Sequence, residues 1–235
     1  MKNCIIASTS TLHGGKYLEY LLPQLQEIFA NCKSLLFIPY ARPGGISHEN
    51  YTGLVATAFE RMIITVKGIH EFDDPKKAIE NAEAIFTGGG NTFLLVKQLY
   101  QNGVMDILAA TIKKGTPYLG TSAGSNITGL SMQTTNDMPI VYPPSFQTLG
   151  LVPFNLNPHY LDPDLQSKHM GETRETRIKE FHQFNSIPVV GLREGSWLEV
   201  KGETIFLKGN LSARLFQKGA APVELAPGSN LSGLN

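Results

Sequence analysis

The chain of 235 residues is short of the features that most quickly narrow a protein's class. Its two cysteines, Cys4 and Cys32, are too few for a disulfide-stapled scaffold or a four-cysteine zinc site. Charge of either sign is not in excess. The 20 Lys and Arg balance 20 Asp and Glu, which leaves neither the basic footprint of a nucleic-acid binder nor an acidic tail. No uninterrupted apolar run approaches the ~18 residues of a membrane span. The stretch from Met1 to Ser8 is too briefly apolar for the core of a secretory signal. At 42% hydrophobic residues, the chain is also too apolar for disorder. The expectation is a globular protein of a reducing compartment, the cytoplasm, with no nucleic-acid and no membrane partner.

What the sequence does have is alternation. Short apolar runs at 4–7, 34–38, 63–66, 84–86, 117–119 and 188–191 are bounded by polar residues, Gly or Pro, as buried parallel strands are. Helix-like stretches lie between them. Asp74-Pro75 opens one with Pro at the first position. Asn91 can cap the next, which carries Leu94, Leu95 and Leu99 on one face and ends at Gly103. A third covers 104–114 and a fourth 172–184, while Pro23 predicts a kink or break within 17–29. The pattern implies a doubly wound α/β domain over residues 1–221, with a mostly parallel sheet and flanking helices. Runs at 197–200, 204–207 and 213–216 predict a small antiparallel extension. Residues 222–235, rich in Gly, Pro, Ser and Asn, are expected to form a loose tail.

Gly120-Thr121-Ser122-Ala123-Gly124 fits G-x-S-x-G, directly after a predicted strand and before residues able to start a helix. A nucleophile elbow needs that context. Small neighbours let the chain turn sharply, so that the Ser122 hydroxyl stands above the sheet edge. The amide of Ala123, next after the serine, is then one donor to an oxyanion. The plainer reading is a small-residue turn. Ser125 and Ser131 are less well placed as nucleophiles. Gly88-Gly89-Gly90-Asn91 ends another predicted strand and leads into the capped helix, so bare amides can approach a ligand there. The run fits neither a dinucleotide fingerprint nor a Walker loop, because Phe93 occupies the third-glycine position and no lysine–serine pair follows. A second oxyanion donor, Gly89, is the better use.

A serine nucleophile needs a base, and the base needs a carboxylate to orient it. Of the histidines at 13, 48, 70, 159, 169 and 182, His159 stands out in Asn157-Pro158-His159-Tyr160, where proline stiffens a non-helical approach. His182 falls in a polar helical stretch and reads as a solvated residue. His169 with Glu172 has a faint metal-ligand spacing, but the set is incomplete, and no metal is expected. Two carboxylates compete as the acid: Asp137, in a loop after the elbow, and Glu194, just past the strand at 188–191. The carboxyl ends of strands carry the site in open α/β sheets, which favours Glu194 without excluding Asp137.

Taken together, the segments 88–93, 122–124, 134–140, 157–159, 171–174 and 194–195 resemble the peptidase E family of aspartyl dipeptidases. These are serine peptidases on a fold like that of class I glutamine amidotransferases. The resemblance covers about residues 85–197 in the family's order. It implies hydrolysis of dipeptides with an N-terminal aspartate (Asp-X), without metal or cofactor. Ser122 carries over as nucleophile, His159 as base, and Glu194 or Asp137 as the third member. One departure is Thr121, where some relatives have Trp, which would alter the pocket's shape.

Such an enzyme must read a carboxylate and a free amine. Arg binds carboxylates bidentately. Arg174, inside a matching segment, is the expected clamp in preference to Arg177 one turn on, although both also suit a salt-bridged helix face. Asn91 and Asp137 are the expected contacts for the substrate's carboxamide and amine. The partner is then a small peptide, and the protein a monomer or homodimer. Two rivals remain: an α/β-hydrolase-like esterase, whose acid falls between serine and histidine as Asp137 does, and a non-catalytic metabolite-binding protein.

Overall fold

The computed structural model describes residues 1–164, 166 and 170–234. Five parallel strands form the centre: β1 (Asn3–Ala7), β2 (Ser34–Ile38), β3 (Thr65–Gly68), β4 (Ile85–Thr87) and β5 (Tyr118–Thr121). Two antiparallel strands, β8 (Ser196–Lys201) and β9 (Thr204–Gly209), continue the same sheet in the order β3-β2-β4-β5-β1-β8-β9. Side chains alternate between its faces. Cys4 and Ile6 point to one core, with Leu36, Ile38, Ile85 and Tyr118; Ile5 and Ala7 point to the other, with Phe37, Phe86 and Leu119.

Helices cover both faces. Leu25 and Phe29 from α1 (Leu22–Ile28) and its end, with Tyr51, Val55 and Phe59 from α2 (His48–Phe59), fill the second core. Residues from α3 (Pro75–Glu80), α4 (Thr92–Gln101) and α5 (Met105–Lys114) fill the first. Asp74 caps α3 through the amides of Lys76 and Lys77, and Asn91 caps α4 through Leu94, as side-chain acceptors at helix starts do. Pro23 marks a start rather than a kink: a 3-10 turn at Glu19–Leu21 gives way to α1, with proline in its first turn, where a missing amide costs nothing.

The expected antiparallel strands of the last third are present, and they are divided between two sheets. While β8 and β9 widen the main sheet, β6 (Asn155–Pro158), β7 (Val189–Leu192), β10 (Ala213–Phe216) and β11 (Val223–Leu225) form a second sheet, in the order β11-β10-β7-β6. In it, β6 and β7 are parallel and linked through α7 (Arg174–Phe184). The apolar sides of Leu156, Val190, Leu192 and Leu215 join the first core, so the two sheets share an interior.

Two further expectations are corrected. The loose tail is instead tied down: β11 (Val223–Leu225) pairs with β10, and Leu231 is buried while its amide donates to Ile205. His182 is not solvated. It lies one turn beyond buried Ile178, on the stripe of α7 that faces the second sheet, and its Nε2 donates to the Ile187 carbonyl at 3.0 Å. Because a carbonyl only accepts, that nitrogen carries a hydrogen.

Candidate active site

The turn after β5 is strained where the chemistry is expected. Ser122 has φ 53° and ψ −112°, a conformation that costs a residue with a Cβ about 1–3 kcal/mol. Its surroundings hold it there: its amide donates to the Ala7 carbonyl at 3.2 Å, and its own carbonyl accepts from Ser125 and Asn126, both at 2.9 Å. The short helix α6 (Ala123–Asn126) follows at once. Gly124 is required by close approach, since any Cβ there would run into the Thr87 carbonyl. Ser125, fully buried, donates to Ala7 at 2.6 Å and is excluded as a surface nucleophile.

His159 comes from the other sheet, one residue past β6, and Glu194 from two residues past its parallel neighbour β7, with Pro158 opposite Leu192 in register. His159 Nε2 lies 2.9 Å from Ser122 Oγ, and Nδ1 lies 2.6 Å from Glu194 Oε1. A carboxylate only accepts hydrogen bonds, so beside it Nδ1 carries the ring hydrogen and Nε2 turns its lone pair on Ser122. His159 also has positive φ, 54°, so both ends of the short contact are backbone exceptions. The Glu194 side chain is 46% exposed and that of His159 34%, which puts this side of the site in contact with solvent.

Asp137, the competing acid, does not reach His159 in this network. Its Oδ2 accepts from the Thr92 amide at 2.7 Å, the Thr92 hydroxyl at 2.6 Å and the Thr135 hydroxyl at 3.0 Å. A negative charge at the first turn of α4 complements that helix's dipole. The neighbouring residues brace β6. Asn136 Nδ2 donates to the Pro158 carbonyl at 2.7 Å, Thr134 donates to Leu156 at 2.8 Å, and Asn157 reaches back to Thr134 and Asn136. Segment 134–137 is thus a strut between the start of α4 and the end of β6.

The glycine loop after β4 faces the elbow. A Cβ built on Gly89 would stand 2.9 Å from Ser122 Cβ and 3.5 Å from Oγ, so only glycine lets the loop sit there. Tyr51 donates to the Gly89 carbonyl at 3.3 Å. Among the described residues the Gly89 amide has no acceptor, and Ala123, first in its helix, has no intrahelical one.

Around Ser122 opens a cleft of about 280 Å³, lined among others by Thr92, Ala123, Asn126, Asp137, His159 and Arg174. Among the described residues, the buried Arg174 Nη1 has no hydrogen-bond partner. Burial pulls the Arg174 guanidinium's pKa down from its ordinary value, while the charges of Glu194 and Asp137 push it up. From so high a starting point it stays a cation. The cleft therefore has a positive pole at Arg174 and a negative one at Asp137.

Two expectations find no support in this geometry. Asn91 is not among the residues lining the cleft: its Oδ1 caps α4 and its Nδ2 donates to the Met138 carbonyl at 2.9 Å, so both ends of the amide are already engaged. Thr121 is fully buried and is not among the lining residues either. His169, half of the faint metal motif, lies outside the described residues; no metal-binding group of three side chains occurs among those described. Nor is any described helix long and apolar enough to cross a membrane. Sequence reasoning missed Ser8 altogether. It is fully buried, donates to the Leu192 carbonyl at 2.8 Å and accepts from the His159 amide at 2.9 Å. Its only signal was its place at the carboxyl end of a predicted central strand.

Residues 4–208 match the model of peptidase family S51. The chain is 50% identical to "Peptidase E" of Streptomyces coelicolor over 232 residues, covering 99% of this chain and 94% of the relative. It is 46% identical to a Drosophila melanogaster protein named "Probable alpha-aspartyl dipeptidase" over 234 residues, covering 98% and 96%. In fold it is similar to the crystal structure of a peptidase from an acI-B1 Actinobacterium, with a TM-score of 0.68, 17% identity and 98% and 96% of the two chains covered.

Proposed function

The chain belongs to peptidase family S51, and on that premise we propose that it is a serine dipeptidase acting on Asp-X dipeptides through an acyl-enzyme on Ser122. The observation that carries this reading is the hydrogen-bonded series Ser122–His159–Glu194, opening onto a cleft lined by Arg174, whose buried Nη1 has no hydrogen-bond partner among the described residues. The relative named as an alpha-aspartyl dipeptidase supports the choice of substrate.

In this reading His159 Nε2 takes the Ser122 proton as Oγ attacks the peptide carbonyl carbon. Charge gathers on the carbonyl oxygen, where the Ala123 and Gly89 amides donate to it; one such donor is worth about 2.7–4 kcal/mol of barrier. The imidazolium, held by Glu194, then gives its proton to the departing amine. Water repeats the sequence in reverse on the ester. Arg174 holds the aspartate side chain, because a guanidinium whose buried Nη1 has no partner among the described residues gains most from a carboxylate. Asp137 receives the substrate's α-ammonium on its remaining oxygen. A cleft near 280 Å³ is at the small end of ligand sites, which suits two residues and not a longer chain. Esterase chemistry with Asp137 as acid loses its basis, since Asp137 is committed to Thr92 and Thr135.

The test is a panel of Asp-X, Glu-X and Ala-X dipeptides with wild type and Ser122→Ala, EDTA present throughout. Asp-X hydrolysis that survives EDTA and is lost in Ser122→Ala is the expected result. Turnover of Ala-X as fast as Asp-X refutes the specificity, and an active Ser122→Ala refutes the mechanism.

A further inference from the structure

The nucleophile and the base ride on different sheets, and something must fix the distance between them. Geometry to within about 0.5 Å is what such chemistry requires. The end of β1 touches both partners. The Ala7 carbonyl accepts from the Ser122 amide at 3.2 Å and from the Ser125 hydroxyl at 2.6 Å, on the elbow side. One residue on, the chain faces the other way. The Ser8 amide donates to Ser196 at 3.1 Å, and the Ser8 hydroxyl donates to Leu192 and accepts from the His159 amide. Leu192 ends β7, two residues before Glu194, and also accepts from the Tyr160 amide at 2.9 Å. Asn126 grips β6 as well, but at Leu156, three residues upstream of the base.

We propose that Ser8 is a positioning residue: its buried hydroxyl pins the ends of β6 and β7 to β1 and thereby sets His159 against Ser122 and Glu194. A hydroxyl offers one donor and two acceptor sites, and here its donor and one acceptor site hold backbone atoms that flank the base and the acid. The His159 amide points to Ser8 in a left-handed conformation that a relaxed loop would not keep. Alanine at this place would leave that amide buried without an acceptor, free to relax by moving the ring. A displacement of about 1 Å in such a site costs roughly 100-fold in rate.

This inference rests on the catalytic reading above, so its test carries a separate arm for that reading. With enzyme in excess, single-turnover release of p-nitroaniline from Asp-p-nitroanilide is followed in wild type, Ser8→Ala, Ser8→Thr and His159→Ala, against enzyme concentration. Ser8→Ala is expected to lower the maximal rate constant about 30-fold while its half-saturating concentration stays within about threefold. Ser8→Thr, which keeps the hydroxyl, recovers most of the rate. If Ser8→Ala does not fold, Ser8→Cys, nearly the same size with a weak donor and acceptor, is read in its place. A maximal rate within twofold of wild type in the folded Ala or Cys variant overturns the role of Ser8, as does a loss that Thr fails to restore. An active His159→Ala would instead overturn the catalytic reading itself.

Discussion

The elbow at Ser122 and the proposed base–acid pair at His159 and Glu194 are built in opposite ways. The elbow is local. Within five residues it has its strand, its turn, its close-approach glycine and its helix start, and it sits in the buried main sheet. The pair is assembled from far apart, 35 residues separating its members, on the carboxyl ends of two strands in the second sheet. Its side chains are partly solvated, and its backbone is held by side chains from elsewhere: Ser8, Asn136 and Asn126. A nucleophile can be specified by a pentapeptide, whereas its activation has to be specified by tertiary structure.

The sharpest way to break this contrast is at the serine. Ser122→Ala should lower kcat on Asp-X about 10⁴-fold or more, with the melting temperature little changed, since alanine keeps the Cβ and with it the strain of the turn; steady-state kinetics and calorimetry read the two. The two carboxylates give the next effect. Glu194→Gln should lower kcat about 10²- to 10⁴-fold with little change in KM, because it disturbs the tautomer and charge of the histidine. Asp137→Asn should instead raise KM and lower thermal stability by up to about 1 kcal/mol, as a helix start loses its anion. If the two variants behave alike, the division of labour between the sheets is wrong.

Smaller effects probe the cleft and the periphery. Arg174→Ala should raise KM for Asp-X about 10- to 100-fold, the worth of a hydrogen bond to a charged group, and leave Ala-X unaffected. Equal loss on both would remove the clamp. The smallest effect is acid sensitivity around Arg193, which forks onto Asp162 at 2.9 Å and also meets Glu224. Hydrogen bonds from Arg193 hold both carboxyls below their ordinary values of 3.8 and 4.5. A carboxyl depressed by folding contributes stability that is complete above its unfolded value and fades as pH falls through the folded one. Arg193→Leu should therefore lower the melting temperature by a few degrees at pH 7 and lose that difference as pH falls below about 4, since these groups are partly exposed and screened.

The same contrast explains how much was legible in the sequence. The strands at 34–38 and 188–191, the caps at Asp74 and Asn91, and the Ser122 turn were readable because their signals are short-range. Strand β6 was not. Its sequence, Asn155-Leu156-Asn157-Pro158, reads as a turn, yet it is buried, with Asn155 Oδ1 accepting from the Ser131 amide and Asn157 Nδ2 donating to Thr134 and Asn136. Helix α2 was passed over because Gly53 and a scattering of threonines blur its pattern, although Ser47 caps it visibly. Elimination and strand-end logic pick out His159 and Glu194, which the structure brings together with Ser122, yet that logic assumes one sheet and the molecule uses two. For Asn91 the sequence cannot separate a helix cap from a ligand contact, because the two look alike in one dimension.

The segment that closes the fold has a consequence for how activity first arises. Residues 223–231 lace β10 of one sheet to β9 of the other, through the β11 pairing, the Leu207–Ser229 bond and the Leu231–Ile205 bond. Glu224 among them also meets Arg193, next to the acid. During synthesis, then, the elbow can form on a growing chain before the seam between the sheets is sewn. A chain truncated before residue 222 should harbour a folded nucleophile turn and almost no peptidase activity.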